Sequence, residues 1–165
     1  MNNIYLRPLV ERDAEISFKW RNNPVIWKYT GTKPNTIITY EIELNWIREV
    51  LKREDERRFA ICVVETDEYI GNVQLTNINT KTAQYHLFIG ETSFWGKGVA
   101  SRAICLILEF AFSTLKLNEV YAYFNSDNIA SIRACEKNGF EFSLKGNNGL
   151  MYTCNLKNYE RAISC

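Results

Sequence analysis

From residue 83 to residue 124 the chain runs through a strand-like segment, a glycine turn, a long amphipathic helix and a second strand-like segment, and this order constrains the fold most. In the first segment Tyr85, Leu87 and Ile89 alternate with Gln84, His86 and Phe88, the period of a strand with two distinct faces. The turn is Phe94-Trp95-Gly96-Lys97-Gly98-Val99-Ala100-Ser101. Beyond it Ala100, Ala103, Ile104, Ile107, Leu108, Ala111, Phe112 and Leu115 recur at three- and four-residue spacing, so one helix face is core. Residues 120–124 then read as a buried strand. A glycine turn that opens a helix leaves several backbone N–H groups unpaired at the positive end of the helix dipole, which suits a phosphate or pyrophosphate.

The flanking sequence supplies the remaining elements. Residues 4–8 read as a short strand, and residues 11–22 as a helix with imperfect spacing that Asn22-Asn23-Pro24 ends, because the residue before proline avoids helical backbone. A second helix starts near Thr39 and carries Ile42, Trp46, Ile47 and Val50. The charged run over residues 52–58 reads as its solvated end. Residues 59–64 and 69–77, joined at Thr66-Asp67-Glu68, form an antiparallel hairpin. After residue 124 come a helix over 128–138 ended by Gly139, and a closing hairpin over 140–144 and 150–156.

At 165 residues the chain fits one domain, residues 1–165, with enough apolar material for a core. Twenty basic against nineteen acidic residues leave a net charge of +1, which gives no field for nucleic acid or an anionic membrane. Cys62, Cys105, Cys135, Cys154 and Cys165 form no C-x-x-C pair, and with His86 alone they make no zinc set, so no metal is expected. Reduced thiols, no signal segment at the start and no long apolar run together predict a cytoplasmic protein.

Among phosphate sites, the P-loop pattern G-x-x-x-x-G-K-[ST] is absent. A dinucleotide-binding unit needs its strand-helix repeat continued across a larger parallel sheet, whereas mixed helix and hairpin precede this turn and little follows it. Two glycines building a tight loop remain the plain alternative. The downstream segment Asn128-Ile129-Ala130-Ser131-Ile132-Arg133-Ala134-Cys135-Glu136-Lys137-Asn138-Gly139-Phe140 separates these readings. Together with Trp95-Gly96-Lys97-Gly98-Val99-Ala100 it resembles the GNAT superfamily of acetyl-coenzyme A-dependent acetyltransferases. Tyr5-Leu6-Arg7-Pro8-Leu9, Trp20-Arg21-Asn22-Asn23-Pro24 and Phe88-Ile89-Gly90 resemble the branch that includes ribosomal-protein N-terminal acetyltransferases.

That resemblance implies an α/β (α+β) fold: a mixed, mostly antiparallel sheet of about seven strands, with a splayed parallel pair and about four flanking helices. It implies that the backbone of Trp95, Gly96, Lys97, Gly98, Val99, Ala100 and Ser101 cradles the coenzyme pyrophosphate. The pantetheine arm would bond Phe88, Ile89 and Gly90 like an added strand. Asn128 would hold a pantetheine amide, and Ser131, Arg133 and Lys137 would reach the phosphates. An amine, on a small molecule or a peptide, would attack the thioester directly, with a backbone N–H near Phe88 stabilising the oxyanion. The related enzymes are often monomers or dimers.

Two proton transfers follow from that chemistry. An amine with the pKa of lysine is about one part in a few thousand neutral at pH 7, a cost of roughly 4 to 5 kcal/mol, so a base is useful. His86 is the first candidate, with Glu91 and Glu41 behind it; a hydrogen-bonded sheet histidine is the plain alternative. For the departing thiolate, many family members carry a tyrosine where this chain has Cys135. Asn128, Ser131 and Cys135 stand at i, i+3 and i+7, which predicts that Cys135 faces the ligand if Asn128 does. A small buried packing residue is the other reading of Cys135. The tyrosine's absence keeps a non-catalytic coenzyme A-binding module open, and the Trp20-Arg21-Asn22 segment also resembles amino-sugar nucleotide acetyltransferases.

Overall fold

The computed structural model describes residues 3–29 and 34–164; Cys165 lies outside them. In chain order the elements are β1 (Ile4–Pro8), α1 (Ala14–Arg21), α2 (Pro24–Trp27), α3 (Tyr40–Leu51), β2 (Arg57–Val63), β3 (Tyr69–Thr76), β4 (Thr82–Ile89), α4 (Val99–Glu109), β5 (Glu119–Phe124), α5 (Ile129–Glu136), β6 (Glu141–Gly146), β7 (Gly149–Asn155) and α6 (Leu156–Ile163). The strands form one seven-stranded sheet in the order β1-β2-β3-β4-β5-β7-β6. Every neighbouring pair is antiparallel except β4 and β5, which are parallel.

Helices cover both faces. Ile104, Ile107 and Leu108 of α4 are at most 1% exposed and pack on the sheet with Ile61, Ile70, Val73, Leu75 and Val120. Each such side chain contributes about 1.5–3 kcal/mol of burial, an upper figure because the unfolded chain is itself partly collapsed. Ile132 and Cys135 of α5 and Tyr159 of α6 join this core. On the opposite face Ala14 and Trp20 of α1 and Ile47 of α3 pack with Ala60, Cys62 and Tyr69.

Local signals explain the boundaries. Asn23 and Thr39 cap α2 and α3 through side-chain oxygens that accept from Val25 N and Ile42 N. At the end of α5 Gly139 has φ +92°, with Gly139 N bonded to Glu136 O and Phe140 N to Cys135 O, the double bond pattern of a Schellman stop. The last three-strand order, β5-β7-β6, follows from the closing hairpin folding back beside β5.

Three expectations change. Residues 11–13 form a 3-10 turn before α1, where Arg7 grips Asp13 in a bidentate pair at 2.7 and 2.9 Å. The charged run is exposed over residues 52–55, as expected, but at its end Arg58 lies on β2 with its side chain 8% exposed, over the Trp46 ring and paired to Glu56. The last element, α6, went unread because its helical period begins directly after a strand, at the Asn155 cap.

Candidate active site at the open strand pair

β4 and β5 pair only at Thr82, Ala83 and Gln84 with Glu119, Val120 and Tyr121. Beyond these residues β4 continues with β3 as far as Ile89, while β5 continues with β7 as far as Phe124. The two halves of the sheet therefore part along residues 85–89 and 122–124. Both strands run into this gap with their carboxyl ends, and each is followed by a helix. The N-termini of α4 and α5 thus stand on its two sides, where an anionic ligand is favoured.

Backbone direction alternates along a strand, and two bonds outside the ladders fix its phase in β4. Lys81 O accepts from Asn118 N at 2.7 Å, so odd-numbered residues address β5; Gly90 N donates to Ile70 O at 2.8 Å, so even-numbered residues address β3. The peptide groups that face the gap are those of Tyr85, Leu87 and Ile89. This corrects the oxyanion expectation at Phe88, whose N–H is directed at β3. Gly90 likewise spends its N–H on Ile70, and the Ile89 carbonyl accepts from Trp95 Nε1 at 2.9 Å. Leu87, missed in the sequence, was recoverable from strand parity had the neighbour on each side been known.

The glycine turn meets the end of β4 through that Trp95 bond. Gly96 and Gly98 have φ +71° and +78°, and a Cβ on either would touch nothing within 4 Å, so the turn presents bare backbone to open space. The first amide of the α4 turn with an acceptor is Arg102 N, bonded to Gly98 O at 3.1 Å. The amides of residues 96–101 have no acceptor among the described residues, which is the chemistry a pyrophosphate needs. Val99 is buried and anchors the turn. Ser101 Oγ accepts from Asn138 Nδ2 at 2.9 Å, and the same amide group donates to Ala134 O at 2.8 Å. Buried Asn138 therefore ties the turn to α5, a role that nothing in its sequence position announced.

On the other side of the gap Asn128 Oδ1 accepts from Ser131 N, capping α5. Ile132 N donates to Asn128 O at 3.1 Å, so Asn128 is the half-in cap residue of α5. Cys135 is 1% exposed in the core; burial pushes its thiol far above the ordinary range, next to Tyr85, itself buried and held protonated. Tyr85 also packs on Phe140 with ring centroids 5.7 Å apart, inside the same core. Arg133 on α5 and Lys137 at its C-cap are exposed.

His86 and Phe88 project from the opposite face, toward α1 and α3. His86 Nε2 lies 3.1 Å from Thr76 Oγ1, and burial, reinforced by Arg58, lowers its pKa, so the ring is neutral at pH 7. Phe88 packs edge-on against Trp20 at 6.0 Å, and Trp20 Nε1 donates to Glu91 Oε1 at 2.8 Å. Tyr121 and Tyr123 of β5 share this face. Glu41 sits at the start of α3, where a backbone N–H bond and, after it, the Thr39 hydroxyl hold its carboxyl below the usual range. Cys62, Cys105, Cys135 and Cys154 are free thiols, and among the described residues no cluster of three or more His, Cys, Asp or Glu side chains forms a metal site. No helix among them is long and apolar enough to cross a membrane.

Comparison with known proteins adds to this geometry. The acetyltransferase (GNAT) domain family matches residues 3–141. An uncharacterized protein of Methanocaldococcus jannaschii, MJ1062, is 27% identical over 158 residues, 94% of this chain but 32% of that protein, so the chain spans about a third of it. The probable N-acetyltransferase YjcK of Bacillus subtilis is 31% identical over 145 residues, 83% of this chain and 80% of its own. Among solved structures, a Vibrio cholerae spermidine N-acetyltransferase in complex with CoA and spermine superposes with a TM-score of 0.84 at 22% identity, covering 95% of this chain and 98% of that one.

Proposed function

The chain belongs to the GNAT family of acetyl-coenzyme A-dependent N-acetyltransferases, and from that premise we propose that it moves acetyl to a primary amine by direct attack across the β4–β5 gap. The observation that carries this reading is the gap itself: strand-like peptide groups of Tyr85, Leu87 and Ile89 along one edge lead to the acceptor-free amides of residues 96–101. The pantetheine arm takes the place of the strand partner that β4 lacks, and the turn takes the pyrophosphate. An N–H of Leu87 or Ile89 stabilises the oxyanion.

The acceptor enters from the α1 and α3 face. His86, neutral through burial, takes or relays the amine proton, with the Trp20-held Glu91 carboxylate as the second group. Cys135 plays no acid role in this scheme; a thiol of ordinary pKa about 8.5 is a stable enough anion to leave unassisted. Asn128, the cap of α5, holds a pantetheine amide in this scheme, and Ser131, Arg133 and Lys137 serve the phosphates. The acceptor is a small amine or a protein N-terminus, the latter following the resemblance to ribosomal-protein N-terminal acetyltransferases; the second reading is an amino-sugar nucleotide. One domain in the cytoplasm is the matching organisation.

The test is release of coenzyme thiol from acetyl-coenzyme A with a broad amine panel, followed by the mass of the product. Stoichiometric N-acetylamine is expected. Tight coenzyme binding with no transfer to any amine would replace the enzyme with a binding module.

A further inference from the structure

On the acceptor face one cation is prepared for a ligand. The Arg21 guanidinium lies over the Trp27 ring at 5.0 Å and the Trp46 ring at 4.8 Å. Stacking uses the faces of the guanidinium and leaves its N–H fork directed in the plane. Arg21 makes no hydrogen bond to any described residue, and its Nε is buried without a partner. The nearest carboxylate oxygen, Glu43 Oε2, stands at 3.6 Å, an ion pair too long for a hydrogen bond. Glu43 is 1% exposed and accepts from Ser17 through its other oxygen, while Oε2, like Arg21 Nε, is buried without a hydrogen bond, so the pair is held by charge alone and leaves the guanidinium fork unused.

A second stacked guanidinium stands beside it. Arg58 lies over the same Trp46 ring at 5.1 Å, with Glu56 as its own partner. Arg21 borders a cavity of about 280 Å³ that Asn22, Pro24, Trp27, Asn35 and Ile37 also line. Its wall is built in advance: Asn22 Nδ2 donates to Ile38 O, and Ile38 N donates to Asn22 Oδ1, both at 2.8 Å. Arg58, Gln74 and His86 are in register across β2, β3 and β4. At about 4.8 Å per strand this sets Arg58 on the order of 10 Å from the gap strand, with Trp46 and Arg21 beyond it.

We propose that the acceptor amine carries an acidic group, a carboxylate or a phosphate, which the Arg21 fork binds beside Trp27 and Trp46 while the amine reaches the gap. The assignment rests on the acetyl-transfer reading and narrows it, since a stacked guanidinium whose fork makes no hydrogen bond to a described residue repels a second amine and can pair bidentately with an oxyanion. A polycationic acceptor of the spermine kind is disfavoured here.

The experiment uses matched probes on the intact chain: glucosamine 6-phosphate against glucosamine, and 6-aminohexanoate against 6-aminohexanol and 1,6-diaminohexane. The acid-bearing member of a set is expected to show at least a tenfold higher kcat/KM, and the two sets tell phosphate from carboxylate. In Arg21→Gln that ratio falls toward one; Arg21→Lys, which keeps charge but not the fork, retains part of it and serves if the first variant does not fold. Preference for the neutral or diamine member, or an unchanged ratio in a folded Arg21→Gln, overturns the proposal. If no amine is acetylated, the transfer reading fails by itself. Calorimetric titration of glucosamine 6-phosphate and glucosamine into the coenzyme-loaded protein then decides: equal binding overturns the anion site, and a phosphate preference lost in Arg21→Gln supports it.

Discussion

Gly90 ends β4 where the two faces of the site meet, and adding one methyl group there tests the packing that holds Trp20. A Cβ on Gly90 would fall 2.0 Å from Trp20 Cδ2, 2.3 Å from Cε2 and 2.5 Å from Cε3, so the indole must retreat by well over an ångström. It has no room: Trp20 is 4% exposed, with Tyr69 4.7 Å from one side and Phe88 6.0 Å from another. Overpacking of this kind costs about 1–3 kcal/mol. The Trp20–Glu91 bond, which the retreat breaks, is worth about 1.5–3 kcal/mol as a bond to a charged group. Gly90→Ala should therefore destabilise by about 3–5 kcal/mol, which in a chain of this length lowers Tm on the order of 10 °C. Thermal and urea unfolding measure it, and the Trp20→Ala background isolates the cause. There the same substitution should cost less than about 1 kcal/mol, because the clash is gone. A Gly90→Ala protein that melts within about 2 °C of wild type, or a penalty that persists without Trp20, would refute the reasoning.

Gly98→Val imposes a left-handed backbone on a β-branched residue at about 1–2 kcal/mol of stability and puts a side chain into the open cradle, so coenzyme A affinity measured by calorimetry should fall at least tenfold; unchanged affinity in a folded variant sinks the cradle. Cys135→Ala should cost about 1–2 kcal/mol in urea unfolding as a small core truncation and leave the rate and pH profile alone; a tenfold rate loss would restore the thiol to the chemistry. For His86 the folded pKa lies below the unfolded value of about 6.5, so the unfolded state binds the extra proton first. Its contribution is nil above that pH, and stability falls as pH drops below it, levelling off once pH passes the folded pKa. His86→Gln should flatten that slope and lower kcat/KM, with the wild-type acid limb below pH 6.5; an identical acid limb in the variant excludes His86 as the base.

Much of the architecture was legible because it is written in periods and breakers. The alternation through β4, the 3.6-residue repeat of α4 and the glycine stop of α5 each survive in the structure. Face assignment within β4 was also sound, since Tyr85 and Ile89 share the α4 core while Phe88 lies against Trp20. For Cys135 the spacing left two readings, and only the packing around it, at 1% exposure, matches the buried one. Arg58 looked like solvated charge because a charged run carries no sign of the tryptophan that covers it.

The strand, glycine turn and helix order, the two left-handed glycines and the capping residues are local, and local sequence determined them: φ preferences and side-chain periodicity need no distant partner. Tertiary structure decided which peptide groups of β4 are free, because parity has meaning only once β3 occupies one side and β5 leaves the other. It also decided that Asn138 would hold Ser101 and that Arg21 would lie over two tryptophans beside Glu43. Those juxtapositions join residues from 6 to 37 positions apart, and no period in the chain encodes the packing that brings them together.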